Sequence, residues 1–174
     1  MITLYLLRHA KSSHAANGGD DKSRPLNDRG RRAAAVMGRH MHDAGFQPSR
    51  VFCSTAERTR ETLEILGGAA EWAAHDPSRE FVDQLYLASP DEILTVLQDL
   101  DEATPSALVI GHNPGIHELA CALAEPRDGL YRQLLDKYPT GALTVLTTAS
   151  EGWRTIGATR MVLSAFEQPQ SLIG

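Results

Sequence analysis

Cysteine is scarce in this sequence, and so is basic charge. Cys53 and Cys121 are the only two cysteines. They lie far apart with no CxxC spacing, and they read as reduced thiols of a cytoplasmic protein, not as a disulfide or half of a zinc site. Lys and Arg number 17 against 22 Asp and Glu, for a net charge of −5 and a pI near 5.8. That balance excludes a general nucleic-acid binder, which needs a basic excess to neutralise phosphates. Any anion site must therefore be made locally. No segment approaches the ~20 consecutive apolar residues of a membrane span, and the opening Met-Ile-Thr-Leu-Tyr-Leu-Leu lacks the basic flank and small-residue cleavage site of a leader, so it reads as a strand. A GxxxxGK[ST] loop is missing, and Gly18-Gly19 and Gly67-Gly68 read as turn or helix-end glycines. HExxH is missing too, since His112 and His117 are five apart with Glu118 after them, so zinc hydrolysis has no support. His14, His40, His42 and His75 read as surface or helix-face residues. No repeat, low-complexity tract or linker interrupts the 174 residues, which are expected to form a single domain, 1–174, with a frayed tail from Glu167.

What is present is a repeated strand-then-helix order. Ile2 to Leu7 form a nearly continuous apolar run, as in a parallel strand buried on both faces. After a polar loop over residues 11–25, Asn27 caps a helix running to about Ala44, with Ala33, Met37, Met41 and Ala44 as its apolar stripe and Gly45 as its stop. Val51 to Cys53 read as a second strand. Ser54 and Glu57 match a capping box for a helix reaching Gly67-Gly68, and Ser89-Pro90-Asp91-Glu92 opens another that ends near Asp101. Ala107 to Ile110 is a further buried strand, turned by Gly111-His112-Asn113-Pro114 into a helix through Leu119 and Leu123. Ala142 to Thr148 and Trp153 to Thr159, separated by Ser150-Glu151-Gly152, read as an edge hairpin. The expected fold is α/β, a three-layer sandwich with a mostly parallel sheet flanked by helices.

Three places carry basic groups at strand ends: Arg8-His9 after the first strand, Arg58 in the first turn after the second, and His112 after another. In open α/β sheets ligands bind outside the carboxyl ends of the strands, where helix N-termini add unpaired N–H donors that favour anions. A lone Arg or His at such a position is more often a hydrogen-bonding surface residue. A buried strand ending in two adjacent basic groups instead needs an acidic partner or an anion to offset their desolvation. Two guanidiniums and two imidazoles converging there describe a phosphate site. Cys53 is excluded as a phosphatase nucleophile because only four residues separate it from Arg58, where a cysteine phosphatase needs five.

Leu6-Leu7-Arg8-His9-Ala10-Lys11-Ser12, Arg24-Pro25-Leu26 with Gly30, Ser54-Thr55-Ala56-Glu57-Arg58-Thr59-Arg60-Glu61-Thr62 and Gly111-His112-Asn113-Pro114 resemble, in this order, the histidine phosphatase superfamily. The resemblance runs to about residue 148 and is nearest to its SixA-type phosphohistidine phosphatase branch. It implies a phosphoglycerate mutase-like fold, His9 as the covalent phosphohistidine nucleophile, and phosphate binding by Arg8, Arg58 and His112. In the SixA-type branch the Arg of the Arg-Pro-Leu segment also reaches the phosphate, which implies Arg24. No cofactor and no metal are implied. Mutase-type members carry Gly after the nucleophile and Asn six residues beyond it, where this chain has Ala10 and Ala15, so mutase activity is disfavoured. Many members place a Glu acid before the third helix, but Phe81-Val82-Asp83-Gln84-Leu85-Tyr86 offers Asp83, either as proton donor or as a simple turn carboxylate. A proton donor would need a raised pKa.

Phosphohistidine requires little acid assistance, because imidazole departs more readily than an alkoxide, and the chain has no long insertion to form a lid over the pocket. The expected activity is dephosphorylation of phosphohistidine in a signalling protein such as a histidine-phosphotransfer domain, by a cytoplasmic monomer with no nucleic-acid or membrane partner. A phosphatase of small phosphate esters or phosphoserine on the same scaffold, with Asp83 as acid and Lys11 or Lys137 aiding recognition, is the alternative. A non-catalytic phosphoprotein-binding module is a lesser one, because the nucleophile is retained.

Overall fold

The computed structural model describes residues 1–15, 18–150 and 152–173. In chain order its main elements are β1 (Ile2–Arg8), α1 (Asp28–Ala44), β2 (Arg50–Ser54), α2 (Glu57–Ala69), β3 (Ser78–Val82), α3 (Pro90–Gln98), β4 (Ser106–Gly111), α4 (Gly115–Leu123), α5 (Gly129–Asp136), β5 (Leu143–Thr148), β6 (Val162–Glu167) and α6 (Pro169–Ile173). The strands form one six-stranded sheet in the order β3-β2-β4-β1-β5-β6. β3, β2, β4 and β1 run parallel, and β5 and β6 close the other edge antiparallel. Among the described residues no helix is long and apolar enough to cross a membrane.

The apolar runs of β1 and β4 are explained by burial on both faces. Leu4, Leu6 and Val109 pack with Phe52 against Ile93, Leu97, Ile116 and Leu119 of α3 and α4. The alternate residues Tyr5, Leu7, Leu108 and Ile110 pack with Val51 and Cys53 against Met37, Met41, Leu63 and Leu66 of α1 and α2. The period of two along each strand thus feeds two separate cores, and the three-layer α/β sandwich expected from the sequence is present.

Local signals account for most boundaries. Asn27 accepts from the Gly30 N–H at 2.9 Å, and Gly45 ends α1 at φ +72° in the left-handed region. The buried stripe of α1 is Gly30, Ala34, Met37, Gly38 and Met41. It is rotated from the expected one, so Ala33 is half-buried and Ala44 exposed. At Ser89 both halves of the capping box form, although α3 stops at Gln98, short of Asp101.

Four expectations are corrected. Ser54 ends β2 instead of capping α2, which begins at Glu57 behind Ala56 with no side-chain cap; the Ser54 hydroxyl accepts from His112 at 2.8 Å and, at 3.4 Å, from the Ala56 N–H. Gly67 and Gly68 lie inside α2, where Gly67 passes against the Trp72 ring. Residues 153–159 do not form the second strand of the hairpin. The Glu102 carboxylate accepts the N–H groups of Trp153 and Arg154, and the Trp153 indole donates to the Thr104 carbonyl; the stretch is held to the α3–β4 connection, and Val162–Glu167 pairs with β5 instead. Glu151 of the expected turn lies outside the described residues. The tail from Glu167 is not frayed: it forms α6, with Pro169 buried and Leu172 packed on the core beneath α1.

A Cβ on Gly30 would stand 2.0 Å from the Lys11 carbonyl oxygen, which also accepts from the Asn27 N–H at 3.0 Å. Only glycine lets α1 approach the segment after β1 this closely. Gly30→Ala is expected to destabilise the fold by about 1–3 kcal/mol through backbone overpacking, measured as a lowered midpoint in urea at unchanged slope.

Candidate active site

The carboxyl ends of β1, β2 and β4 deliver Arg8-His9, Ser54 and Gly111-His112 to one rim. β4 pairs with both β1 and β2, so His112 stands between the nucleophile candidate and the start of α2. The His9 N–H donates to the Gly111 carbonyl at 3.0 Å, and the two imidazoles lie 5.4 Å apart, centre to centre. Thr62 of α2 ties the rim together. Its hydroxyl accepts from the Ala10 N–H at 3.0 Å and donates to the Arg58 carbonyl at 2.7 Å.

His9 is 8% exposed, and its Nδ1 lies 2.7 Å from the Ala10 carbonyl oxygen. A carbonyl only accepts, so Nδ1 carries the proton and Nε2 is left with its lone pair. His112 is held in the complementary way. Arg58 donates to its Nδ1 at 3.3 Å, and its Nε2–H donates to Ser54 Oγ at 2.8 Å. Burial pushes His9 down to about 3 against the help of the Ala10 carbonyl, with His112, Arg58 and Arg8 adding to the fall. Burial and then Arg58 push His112 down to about 4. Both rings are therefore neutral near pH 7.

Two guanidiniums flank them. Arg8 donates from Nη1 to the Tyr138 carbonyl at 2.9 Å, and Asn113 Nδ2 donates to the same oxygen at 3.0 Å. Burial, then Arg58, lower the Arg8 pKa. Arg58 is 3% exposed and is covered by the short turn Asp21–Ser23: Nη1 donates to the Asp21 carbonyl at 2.7 Å, and Nη2 contacts the Asp21 carboxylate at 3.0 Å. Among the described residues the buried Nε atoms of Arg8 and Arg58 have no partner, so each cation keeps donor capacity unused by the protein.

Asp21 has three donors. Besides Arg58, its carboxylate takes Arg24 Nη1 at 2.9 Å and the Tyr86 hydroxyl. Its pKa falls far below the usual carboxylate range, through the Tyr86 hydrogen bond first and then Arg24 and Arg58. Tyr86 in turn stands edge-on to the His112 ring at 5.4 Å. One side-chain carboxylate thus occupies the fork between two arginines. Among the described residues no group of three or more His, Cys, Asp or Glu is arranged to hold a metal ion. Cys53 lies in the core with its thiol pushed up to about 12 by burial, so it offers no thiolate.

The profile of the histidine phosphatase superfamily, branch 1, matches residues 4–83. The solved structure from Nakamurella multipartitia, described as a proposed phosphohistidine phosphatase SixA, is 29% identical with a TM-score of 0.83, covering 97% of this chain and 96% of that one. Its counterpart from Agrobacterium tumefaciens, described in the same way, is 27% identical with a TM-score of 0.77 over 97% of this chain and 99% of that one. An uncharacterised protein of Mycobacterium leprae is 31% identical over 94% of this chain and 100% of its own length. The chain belongs to the histidine phosphatase superfamily. Its fold is phosphoglycerate mutase-like, and it is a phosphatase.

Of the residues singled out by this superfamily's motifs, Arg8, His9, Arg58 and His112 are brought together. Arg24 lies one carboxylate away, through Asp21, with Nε on the Ser13 carbonyl and Nη2 on Ser12 Oγ. Asp83 stands on the outer rim, 80% exposed by its side chain and 3.0 Å from Lys22 Nζ. The Thr55 hydroxyl and then Lys22 lower its pKa, the opposite direction from that of a proton donor at neutral pH. Sequence reading missed Asp21, Ser54 as a partner of His112, Tyr86, and the Tyr138 carbonyl under Arg8. Ser54 and Tyr86 did sit within stretches singled out by sequence, Ser54 read as a helix cap and Tyr86 given no role beside Asp83.

Two outcomes are expected. Because both folded values lie below the ordinary 6.5, the unfolded chain takes up protons that the native protein refuses as pH falls through about 6.5 toward about 4, and stability falls with it. The ring signals of His9 and His112 should stay at their neutral positions in NMR spectra between about pH 8 and about pH 5. Separately, Asp21→Asn removes an anion that competes with any bound oxyanion for Arg58 and Arg24. It should lower the melting temperature of the free protein, which keeps a buried unpaired cation, while tightening vanadate binding on the order of tenfold.

Proposed function

We propose that this phosphatase dephosphorylates phosphohistidine in a signalling protein, through a covalent phosphohistidine on His9. The observation that carries the reading is the Nδ1–H contact of His9 to the Ala10 carbonyl, which leaves a neutral ring with Nε2 as the attacking atom. Nε2 attacks phosphorus as the bond to the substrate imidazole breaks; that imidazole, already protonated on its other ring nitrogen, takes the bonding pair and leaves as the neutral ring, while His9 becomes the phosphoimidazolium. Water then attacks the phosphoryl group on His9, releasing inorganic phosphate and restoring His9. Arg8 and Arg58 bind the equatorial oxygens, where charge is spread in the transition state and pre-set donors act most strongly; His112 joins them as a donor once the negative charge of the bound phosphoryl group favours its protonation on Nδ1. Arg24 joins them once the incoming phosphoryl group displaces the Asp21 carboxylate from the fork that both arginines share.

The choice of phosphohistidine is supported by the rim. An exposed Asp83, ionised in its pair with Lys22 and Thr55, is a poor acid for a departing alkoxide, whereas an imidazole needs little assistance. The proposed names of the Nakamurella and Agrobacterium proteins point the same way.

His9→Ala is expected to abolish turnover with the fold intact, and rapid quenching of the native enzyme should trap phosphate on His9 in a bond that survives alkali and is lost in acid. Arg58→Lys should retain at most about a thousandth of the rate, because a point charge does not reproduce a forked contact. Asp83→Asn should leave phosphohistidine hydrolysis nearly unchanged. If instead it stops that reaction, and small alkyl phosphates react faster than any phosphohistidine protein, the enzyme is a small-ester phosphatase.

A further inference from the structure

Beside the catalytic rim the surface changes character. α1 returns from the carboxyl end of β1, so its first turns share that end of the sheet with His9. A cavity of about 290 Å³ opens there, between α1, the segment after β1, the loop before β5 and α6, lined by Lys11, Arg29, Arg32, Pro139, Thr140 and Ile173 among others. A second, of about 350 Å³, continues along the same helix past Arg32, Val36 and Arg39, again bounded by Ile173. Both belong to the cleft between α1 and α6.

The cleft is built partly from the segments that also build the site. Lys11 is two residues from His9. Thr140 precedes Gly141, whose N–H donates to the carbonyls of Arg8 and His9, and Tyr138 of the same loop holds the Arg8 guanidinium. Gly141 also packs against Pro169 of α6.

Its charge is unmatched. Lys11, Arg29, Arg32 and Arg39 are all exposed. Arg31, between two of them, turns to Asp28 and Glu61, whereas these four make no ion pair or side-chain hydrogen bond among the described residues. In a chain with a net charge of −5, four unpaired cations along one cleft set up a local positive field that favours anionic partners. Apolar surface accompanies them, with Ile173 60% exposed.

We propose that the α1–α6 cleft is the docking groove for an acidic segment of the phosphoprotein substrate, flanking its phosphohistidine. The proposal rests on the phosphohistidine reading and adds the chemistry by which the substrate protein is recognised. Length favours a polypeptide over a second anionic group of a small molecule. From Arg29 to Arg39 the helix rises ~15 Å, the span of about five extended residues. An extended segment laid there meets successive cations while its phosphohistidine side chain reaches over Lys11 into the rim.

The test uses two synthetic phosphohistidine peptides of equal length, one with Asp and Glu flanking the phosphohistidine and one with Asn and Gln, together with para-nitrophenyl phosphate. At low ionic strength the native enzyme should prefer the acidic peptide by roughly fivefold in kcat/KM, and added salt should erase the preference. Arg29→Ala/Arg32→Ala should erase it too and leave para-nitrophenyl phosphate hydrolysis unchanged, while Arg29→Lys/Arg32→Lys should keep it. The acidic peptide without phosphate should bind the native protein and not the alanine variant, in a fluorescence anisotropy titration. No acidic preference, a preference that survives in the alanine variant, or an equal loss on para-nitrophenyl phosphate would each overturn the proposal. So would tight binding of inorganic diphosphate in the cleft with no binding of the peptide. If neither phosphohistidine peptide is hydrolysed but the unphosphorylated acidic peptide still binds in an Arg29- and Arg32-dependent way, the phosphohistidine reading fails and the groove stands.

Discussion

The structure depends on keeping two guanidiniums, Arg8 and Arg58, inside a rim from which water is largely removed. Charge in such a place is costly unless hydrogen-bonded and paired. The protein meets that cost differently at each. Arg8 rests on a neutral carbonyl, that of Tyr138, whose own loop is bonded to the backbone of Arg8 and His9. Arg58 has an anion, Asp21, brought in by a turn on the surface. A carbonyl is a fixed part of the fold, but a carboxylate on an exposed turn is replaceable. In the proposed reading this asymmetry makes the Arg58 side of the rim the one that opens to an incoming phosphoryl group.

Burial sets the protonation of the histidines, and the same positive field adds to it. With two guanidiniums close by and little water, a charged imidazole is disfavoured at either position, and burial is the larger cause at both. Neutrality would be of no use if the wrong nitrogen carried the proton. The backbone carbonyl of Ala10 settles this for His9, and Arg58 with Ser54 settles it for His112. Ser54 is therefore tied to the active-site imidazole by the very hydroxyl that its sequence context suggested for a helix cap. The hydroxyl also accepts from the Ala56 N–H at 3.4 Å, but Ser54 still ends β2 and α2 starts two residues later without a side-chain cap.

How much of this was legible follows from how local each signal is. β1 was readable from its apolar run, α1 from Asn27 and Gly45, and α3 from Ser89 and Glu92, because each signal lies within a few residues of what it specifies. The four central site residues were readable because strand ends converge in an α/β sheet whatever the details of packing. β3 was not, since Ser78–Val82 is an edge strand whose first four residues are exposed and carry no apolar alternation. α5 buries only Leu134 and gave equally little pattern. Trp153 looked like a strand residue, and it became an anchor because Glu102, 51 positions earlier, takes its N–H. Asp21 and Tyr86 meet across 65 positions. Nothing in either neighbourhood announces the other, and only the parallel sheet, which aligns the ends of β1, β2 and β3 on one side, brings their turns face to face.

That alignment explains why an acidic protein recognises an anion at all. A net charge of −5 repels phosphorylated and acidic partners at long range, but salt screens charges beyond ~8–10 Å, so what a ligand meets at contact is decided by local placement. The cations here are divided into two sets. Arg8, Arg58 and Arg24 are engaged by protein acceptors, and in the proposed reading they address only a group that displaces or joins those contacts, a compact, doubly charged phosphoryl group before a lone carboxylate. Lys11, Arg29, Arg32 and Arg39 are exposed and, among the described residues, unengaged, and such groups bind weakly one at a time but select a partner through their spacing. On the proposed reading one set chooses the reacting group and the other the chain that carries it, which would let a small rim discriminate among phosphorylated molecules.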